Sequence, residues 1–232
     1  MSADRRDRLL ALLGVHDSAF AMLRGICDLC VSEVVVTGAR VRMLGGVETN
    51  GGGVLAYATD LLGVELDDLA SSTGAGPCVD AFALRHPVLV SDLAAERVRW
   101  PGFTADAVTA GVAAVFSFPL LIGEVRLGVL ELHRATPGPL SPTRLVDAFL
   151  LADLATDVIF DDLYAVAPMT LSGVVDIQAV VHQATGFVAV ELEVSLQEAL
   201  MRIRGHAFAQ QRTLSEVAKD IIERRLWLES GE

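Results

Sequence analysis

The sequence predicts an α+β protein, because strand patterns occur only in its first 135 residues or so and helical patterns follow them. Two apolar strand pairs with glycine-rich connections precede residue 135. Beyond Pro168 the chain shows helical patterns and no strand pattern. Because proline disfavours helix in the residue before it, a boundary between two domains is expected at residues 167–169.

Composition and charge exclude several classes of protein. The 232 residues suffice for a medium domain and a small one, and the 52% of hydrophobic residues exclude a disordered chain. A net charge of -12 disfavours nonspecific binding of nucleic acid or anionic membranes by the whole surface. The uncharged run 107–123 is too short to span a membrane and is predicted to be buried strand. Without a secretion signal, a cytoplasmic protein is expected.

The N-terminal pattern predicts one or two amphipathic helices over residues 5–31, divided near Gly14. Cys27 and Cys30 have the CxxC spacing, but a zinc site needs four ligands and the chain has one such pair. Buried core thiols are therefore expected here, and neither a metal nor a cofactor is indicated.

The sheet begins with a predicted strand pair, Val41–Met43 and Val54–Ala58, around a glycine-rich loop. Residues 112–122 and 125–133 are the most apolar stretch and meet at Gly123, which predicts an antiparallel pair in the centre of the sheet. A short strand is expected at residues 87–92.

Helices are predicted for the remainder of the chain. The four-and-three spacing of apolar residues indicates one long helix over residues 143–164, and another is expected over 174–192. Capping boxes at Ser195–Glu198 and Thr213–Glu216 predict two more. Three short helices form a bundle of marginal stability, so we expect them to pack against the long helix.

The search for catalytic motifs finds no phosphate-binding, zinc-protease, nucleophile-elbow or dinucleotide pattern. Cys78 follows Gly-Pro at a predicted loop-to-helix junction, where backbone amides lower a thiol pKa; alternatively it packs the helix against the sheet. Aromatic residues near one face of the sheet either line a ligand cavity or pack the core. The candidate ligand-binding residues are Cys78, Trp100, Phe103, Phe116 and Phe118.

Five motifs keep their order and spacing: Gly74–Ala81, Pro87–Leu93, Arg99–Phe103, Phe118–Leu120 and Arg126–Leu130. With them, residues 20–160 resemble a GAF domain of the actinobacterial type. The resemblance implies an antiparallel sheet flanked by helices, a pocket for a small molecule, and flanking helices that often form a homodimer. The Asn-Lys-Phe-Asp-Glu motif of cyclic-nucleotide-binding relatives is missing, which argues against that ligand.

The C-terminal region carries a second set of motifs, which are Gln183–Gly186, Ala199, Ile203–Arg204, Ala207, Leu214 and Val217–Ala218. With them, residues 173–230 resemble an ANTAR domain, the RNA-binding module of transcription antitermination regulators. The resemblance implies a small all-α three-helix bundle. It also implies a dimer in which each unit binds one loop of a two-loop RNA, so that transcription continues.

One position departs from that family. The usual Ala-Lys-Gly is Ala184-Thr185-Gly186 here, which removes a cation suited to a phosphate contact. Residues after Ser172 include six basic and nine acidic side chains, so RNA binding must come from a local cluster. The candidate RNA-binding donors are Gln183, Thr185, Arg202, Arg204, Gln210, Arg212 and Lys219.

The predicted organisation is an N-terminal helical segment (1–19), a GAF sensor domain with its connecting helix (20–166), a linker (167–172) and an ANTAR domain (173–232). We therefore expect a non-enzymatic, homodimeric antiterminator that binds RNA, under control of an unidentified small-molecule ligand and without membrane contact. The ligand is expected to act by moving the long helix.

Two alternatives stay open. The absence of the usual lysine at position 185 and the excess of acidic side chains after Ser172 favour a regulator that has lost RNA binding and acts through protein contacts. The Gly-Ala-Gly-Pro-Cys78 segment is loosely similar to the catalytic cysteine region of GAF-type methionine sulfoxide reductases. The second cysteine expected upstream is absent, and Asp67 and Asp68 stand there, so this alternative is weaker.

Overall fold

The computed structural model describes residues 2–14, 16, 18–43, 53–123, 125–164, 175–210, 212 and 214–228. The helices in these ranges are α1 (Ser2–Leu13), α2 (Ala19–Leu29), α3 (Leu61–Thr73), α4 (Pro77–Leu84), α5 (Pro101–Thr109), α6 (Pro142–Tyr164), α7 (Val175–Glu191), α8 (Leu196–Ala209) and α9 (Leu214–Ile222). The strands are β1 (Gly38–Met43), β2 (Val54–Ala58), β3 (Val88–Val90), β4 (Ala114–Ile122) and β5 (Val125–Arg134). The predicted boundary and linker lie outside the described residues.

The five strands form one sheet in the order β2-β1-β5-β4-β3, and every neighbouring pair is antiparallel. The β4–β5 hairpin turns at Gly123, whose φ of +55° lies in the region that glycine enters without strain. β5 is the central strand, which confirms the predicted antiparallel pair in the middle of the sheet.

The two faces of the sheet differ in chemistry because side chains alternate along each strand. One face is apolar and packs against α2, α6 and a π-helical segment, Cys30–Val35, that the sequence did not predict. Its central side chains are Ala39, Val41, Phe116, Phe118, Leu130 and Leu132. The opposite face carries Arg40, Arg42, Ser117, Glu131 and His133, all buried, and is covered by α3 and α4.

The N-terminal helices confirm the prediction, since α1 and α2 are separated at Gly14. Leu9 and Leu13 of α1 join the core on the apolar face, and Arg5 pairs with Asp147 of α6. Cys27 and Cys30 are fully buried free thiols, as expected for core residues.

The sequence patterns predict neither α3 nor α5. The inward side of α3 includes Asp67 and Ser71 beside Leu66 and Ala70, so its apolar periodicity is interrupted. α5 begins with Pro101 at its first position, within a Trp-Pro-Gly segment that suggests a connection. The prediction of strand for the whole run 107–123 is wrong, because α5 continues to Thr109 and β4 starts at Ala114.

The C-terminal helices α7, α8 and α9 share a hydrophobic core of their own, made of Ala184, Val188, Ala199, Ile203, Ala207, Val217, Ala218 and Ile221. The Ser195 hydroxyl accepts a hydrogen bond from the Glu198 N–H at 3.1 Å and caps α8, as predicted. Thr213, the start of the second predicted capping box, lies outside the described residues. Among the described residues, α8 and α9 lie against α3, whereas the sequence predicts contact with the long helix.

None of the helices in the described ranges combines the length and the apolar character needed to cross a bilayer. This finding concerns the described residues alone.

We expect Gly128→Ala to destabilise the protein by about 1–3 kcal/mol, because a Cβ on β5 at this position would collide with the backbone carbonyl oxygen of Arg42 on β1. Gly205→Ala is the matched control, since the added Cβ on α8 meets no described atom beyond its own helix backbone within 4 Å. It should stabilise the helix by up to about 1 kcal/mol. Urea unfolding measures both changes, and equal effects would contradict the packing argument.

Candidate functional site

A buried cluster of charged side chains lies between the sheet and α3. It consists of Arg40, Arg42, Asp67, Ser117 and Glu131, all less than a tenth exposed, and is called the ionic cluster below. Arg40 lies opposite Glu131, and Glu131 lies opposite Ser117, so three neighbouring strands place these side chains in one row. Asp67 reaches the row from the middle of α3.

Arg40 is the centre of the ionic cluster. Its Nε and Nη2 donate to Glu131 Oε1 at 3.0 and 2.5 Å, and its Nη1 donates to Asp67 Oδ1 at 2.7 Å. The second carboxylate oxygens of Glu131 and Asp67 also have polar partners. Ser117 Oγ donates to Glu131 Oε2 at 2.5 Å, and Arg42 Nη1 pairs with Asp67 Oδ2 at 2.7 Å. Both carboxylates are therefore fully engaged.

The charges of the ionic cluster balance, with two guanidinium groups facing two carboxylates. Burial by itself disfavours the charged form of Arg40, but Glu131 and Asp67 raise its pKa above the ordinary value, so it stays charged. A buried pair of this kind gives weak net stability, but removing one member leaves an uncompensated charge. The cluster therefore specifies where α3 sits on the sheet.

A second polar contact holds the first turn of α3. Asp60 caps the helix, because its Oδ1 accepts the Gly63 N–H at 2.8 Å. Its other oxygen, Oδ2, lies 3.1 Å from Nε2 of His133, which is fully buried on β5. Burial lowers the pKa of His133 although Asp60 opposes the shift, and Nδ1 has no partner in the described residues. A neutral imidazole that donates to Asp60 fits both facts.

Cys78 is the second residue of α4 and is 1% exposed. Burial raises the pKa of its thiol to about 12, and the negative charge of Glu131 is the second largest cause of this shift. The thiol is therefore neutral at physiological pH, and desolvation outweighs any effect of the helix N-terminus. This placement favours the alternative in which Cys78 packs the helix against the sheet.

The structure divides the five candidate ligand-binding residues between the two faces of the sheet. Cys78, Trp100 and Phe103 share the core beneath α3, α4 and α5. Phe116 and Phe118 belong to the core on the other face, where Phe118 meets Phe149 edge-on with ring centroids 5.2 Å apart. The five side chains therefore do not converge on one cavity, because the strand alternation that groups the two phenylalanines turns them away from Cys78.

The ionic cluster matches none of the motifs that select candidate sites from the sequence, although its residues follow a recognisable pattern. Arg40 and Arg42 alternate with Ala39 and Val41, and Glu131 and His133 alternate with leucines, in strands that are otherwise apolar. Charged residues at every second position of a buried strand indicate a polar face that must be paired within the fold.

The candidate RNA-binding residues fall into four groups: exposed, paired, undescribed and, in the case of Thr185, buried. Gln183, Gln210 and Lys219 are exposed. Arg202 pairs with Glu198 at 2.7 Å and Arg212 pairs with Asp220 at 2.6 Å. The side chain of Arg204 lies outside what the structure describes.

Thr185 is 6% exposed, and its hydroxyl donates to the carbonyl oxygen of Val181 at 2.7 Å. Its side chain belongs to the interior of the C-terminal helices, so the expected hydroxyl contact with RNA does not fit this geometry. Within the described residues, no three histidine, cysteine, aspartate or glutamate side chains are grouped to hold a metal ion.

Comparison with known families identifies the sheet and the helices around it. The sequence profile of the GAF domain matches residues 21–159, which is more than half of the chain. A search of curated proteins finds no significant match.

Solved structures share this fold at low sequence identity. The GAF domain of a phosphoenolpyruvate-protein phosphotransferase from Coxiella burnetii matches with a TM-score of 0.53 and 11% identity, covering 72% of this chain and 97% of that one. The corresponding domain from Acinetobacter matches with a TM-score of 0.51 and 14% identity, covering 70% of this chain and 95% of that one. A free methionine-R-sulfoxide reductase from Neisseria meningitidis matches with a TM-score of 0.51 and 16% identity. This match covers 71% of this chain and 92% of that one. At these identities the similarity shows the fold alone.

We expect Glu131→Gln to destabilise the protein by about 3 kcal/mol or more, because Arg40 loses one of its two buried counter-charges. Glu198→Gln is the matched control at a surface pair and should change the free energy of unfolding by less than about 1 kcal/mol. Urea unfolding compares the two variants. A small effect of Glu131→Gln would mean that the ionic cluster does not hold the sheet and α3 together.

We expect the free energy of unfolding to decrease as the pH falls below about 6.5, because unfolded His133 binds a proton at its ordinary pKa while the folded imidazole has a lowered pKa. The contribution is fully present above that pH and is lost as the pH falls towards the folded pKa. His133→Gln should remove this part of the slope below about pH 6.5. The exposed His86→Gln should retain it, and a full slope in His133→Gln would refute the assignment.

Proposed function

The chain belongs to the GAF domain family, and from that premise we propose that it is a signal-responsive transcription antiterminator. In this proposal the GAF domain binds an unidentified small molecule and controls α7, α8 and α9, which bind a two-loop RNA. The protein acts as a homodimer and is not an enzyme.

The observation that supports RNA binding best is the packing of the ANTAR-like residues. Ala184, Ala199, Ile203, Ala207, Val217 and Ala218 all lie in the core that α7, α8 and α9 share. These small and branched residues are therefore the ones that let the three helices approach closely. Outside that core, Gln183, Gln210 and Lys219 present amide and ammonium donors to solvent. Such donors suit phosphates and the edges of unpaired bases.

Helix α3 supplies a route for control. Asp67 and Asp60 hold it to the polar face of the sheet, and its other contacts include α8 and α9. A ligand that binds differently to two arrangements of the ionic cluster changes the position of α3 and thereby the presentation of the C-terminal helices. This route differs from the long-helix route that the sequence suggested.

The absence of enzymatic activity is proposed from the state of Cys78. A neutral, buried thiol is a weak nucleophile, since the thiolate is the reactive form. Thiol-dependent reduction of free methionine sulfoxide by the full chain, lost in Cys78→Ser, would overturn this part of the proposal.

A second candidate function is favoured by the ion pairs. Arg202 and Arg212, both candidate RNA-binding residues, each face a carboxylate, and Asp220 also pairs with Arg225. These contacts neutralise cations that an RNA phosphate would need. They favour a regulator that acts through protein contacts alone. A defined protein partner that binds the chain, with no RNA binding, would select this candidate.

We expect the full chain to bind an RNA of two tandem stem-loops more tightly than an unrelated RNA of the same length, with affinity that falls as salt rises. Lys219 is the only lysine of the chain and is exposed on α9. Lys219→Gln should therefore weaken binding and reduce the slope of log affinity against log salt concentration by about one. Filter binding measures both quantities.

Arg97→Gln is the matched control, because it removes an exposed cation from the GAF domain and should leave RNA binding unchanged. RNA should also protect the Lys219 ammonium from acylation by an amine-directed reagent. Equal affinity for both RNAs, or a Lys219 amine that stays equally reactive, would contradict RNA binding by these helices.

A further inference from the structure

Phe187 on α7 is partly buried against the C-terminal core, and beside it lies Trp227, an exposed aromatic residue that neither this core nor the ANTAR-like residues explain. We propose that Phe187, Arg224 and Trp227 form a stacking site for an unpaired base of the bound RNA. This surface is called the Phe187–Trp227 site below. The proposal rests on the proposed function and adds a specific contact to it.

The chain reversal after α9 creates the site. Arg224 has a φ of 56°, a left-handed conformation that is costly for a residue with a Cβ. The amides of Arg225 and Leu226 then bond to the carbonyl oxygen of Asp220, which turns the chain back towards the helices. Leu226 and Leu228 pack against the C-terminal core, so Trp227 between them projects outward.

The two rings lie against each other, and Trp227 is the exposed member of the pair. The centroids of Phe187 and Trp227 are 6.0 Å apart with the planes inclined at 58°. Trp227 nevertheless keeps 54% of its surface exposed, and Val190, one turn along α7, is 81% exposed. The indole of Trp227 contacts Phe187 and is otherwise largely exposed, so it offers apolar ring surface to solvent.

Arg224 differs from the neighbouring arginines in its contacts. Arg202, Arg212 and Arg225 are each paired with a carboxylate. Among the described residues, the recorded partner of Arg224 is the ring of Phe187, with the guanidinium carbon 6.0 Å from its centroid. No acid within the described part of the chain neutralises its positive charge, which favours an anionic partner.

These features together fit an unpaired nucleotide. An exposed indole stacks on a base of any sequence, and the guanidinium of Arg224 is positioned to bind the adjoining phosphate. Gln183 lies one helical turn before Phe187 and is exposed, so its amide is on the same side of α7 and available to a base edge. An acidic protein segment would use the charge but has no comparable use for a flat ring face.

The test compares Trp227→Ala with Trp227→Phe in the full chain, using an RNA of two tandem stem-loops with 2-aminopurine in each loop. Trp227→Ala should weaken binding about 10-fold or more, and Trp227→Phe should restore most of the affinity. Met201→Ala is the matched control, because Met201 is a 64% exposed apolar residue on α8 outside the site. Arg224→Gln should weaken binding and reduce the salt slope by about one.

A direct readout uses the wild-type chain. The chain has two tryptophans, and Trp100 is only 2% exposed, so quenching by acrylamide reports on Trp227. The RNA should protect Trp227 from the quencher, and stacking should reduce the 2-aminopurine fluorescence.

The outcomes separate this inference from the proposed function. Tight RNA binding without protection of Trp227, and with Trp227→Ala as active as wild type, would overturn the stacking site and leave the antiterminator proposal standing. No preference for the RNA by the wild-type chain would overturn both. Protection of Trp227 by a defined protein partner, with quenching unchanged by RNA, would also overturn the stacking site and support the second candidate function.

Discussion

The position of Arg40 is the constraint on which the rest of the structure depends. A guanidinium with no exposed surface lies between Glu131 on the neighbouring strand and Asp67 on α3. Charges buried this deeply are tolerated only when every one is paired, so strand register and helix position must agree. The row Arg40–Glu131–Ser117 requires the observed alignment of β1, β5 and β4, and Asp67 then determines where α3 lies.

The polar face of the sheet has consequences for the whole chain. The apolar face holds α2 and α6 by nonspecific burial, which tolerates many small adjustments. The other face holds α3 through directional hydrogen bonds, at Asp60 and at Asp67. Because α3 also lies against α8 and α9, the part of the GAF domain with the strictest geometry is the part in contact with the C-terminal helices.

The C-terminal helices combine an apolar interior with a surface of mixed charge. Their core consists of small and branched residues, and most of their arginines are paired with acids on the same helices or the following turn. Pairing within the helices reduces long-range attraction of RNA, so the RNA recognition that we propose depends on short-range contacts. Exposed amides, the lysine on α9 and the ring of Trp227 are groups of this kind.

Elements with local patterns follow from the amino-acid sequence alone: the antiparallel central pair, the helices α6 and α7, and the Ser195 cap. Periodicity and capping depend on neighbours in the chain, which explains why these predictions are correct. The packing of distant segments was needed to show that Phe116 and Phe118 face away from Cys78, that Thr185 is buried, and that α3 contacts the C-terminal helices. Those facts depend on which strand face meets which helix, and partners that are far apart in the chain leave no local pattern.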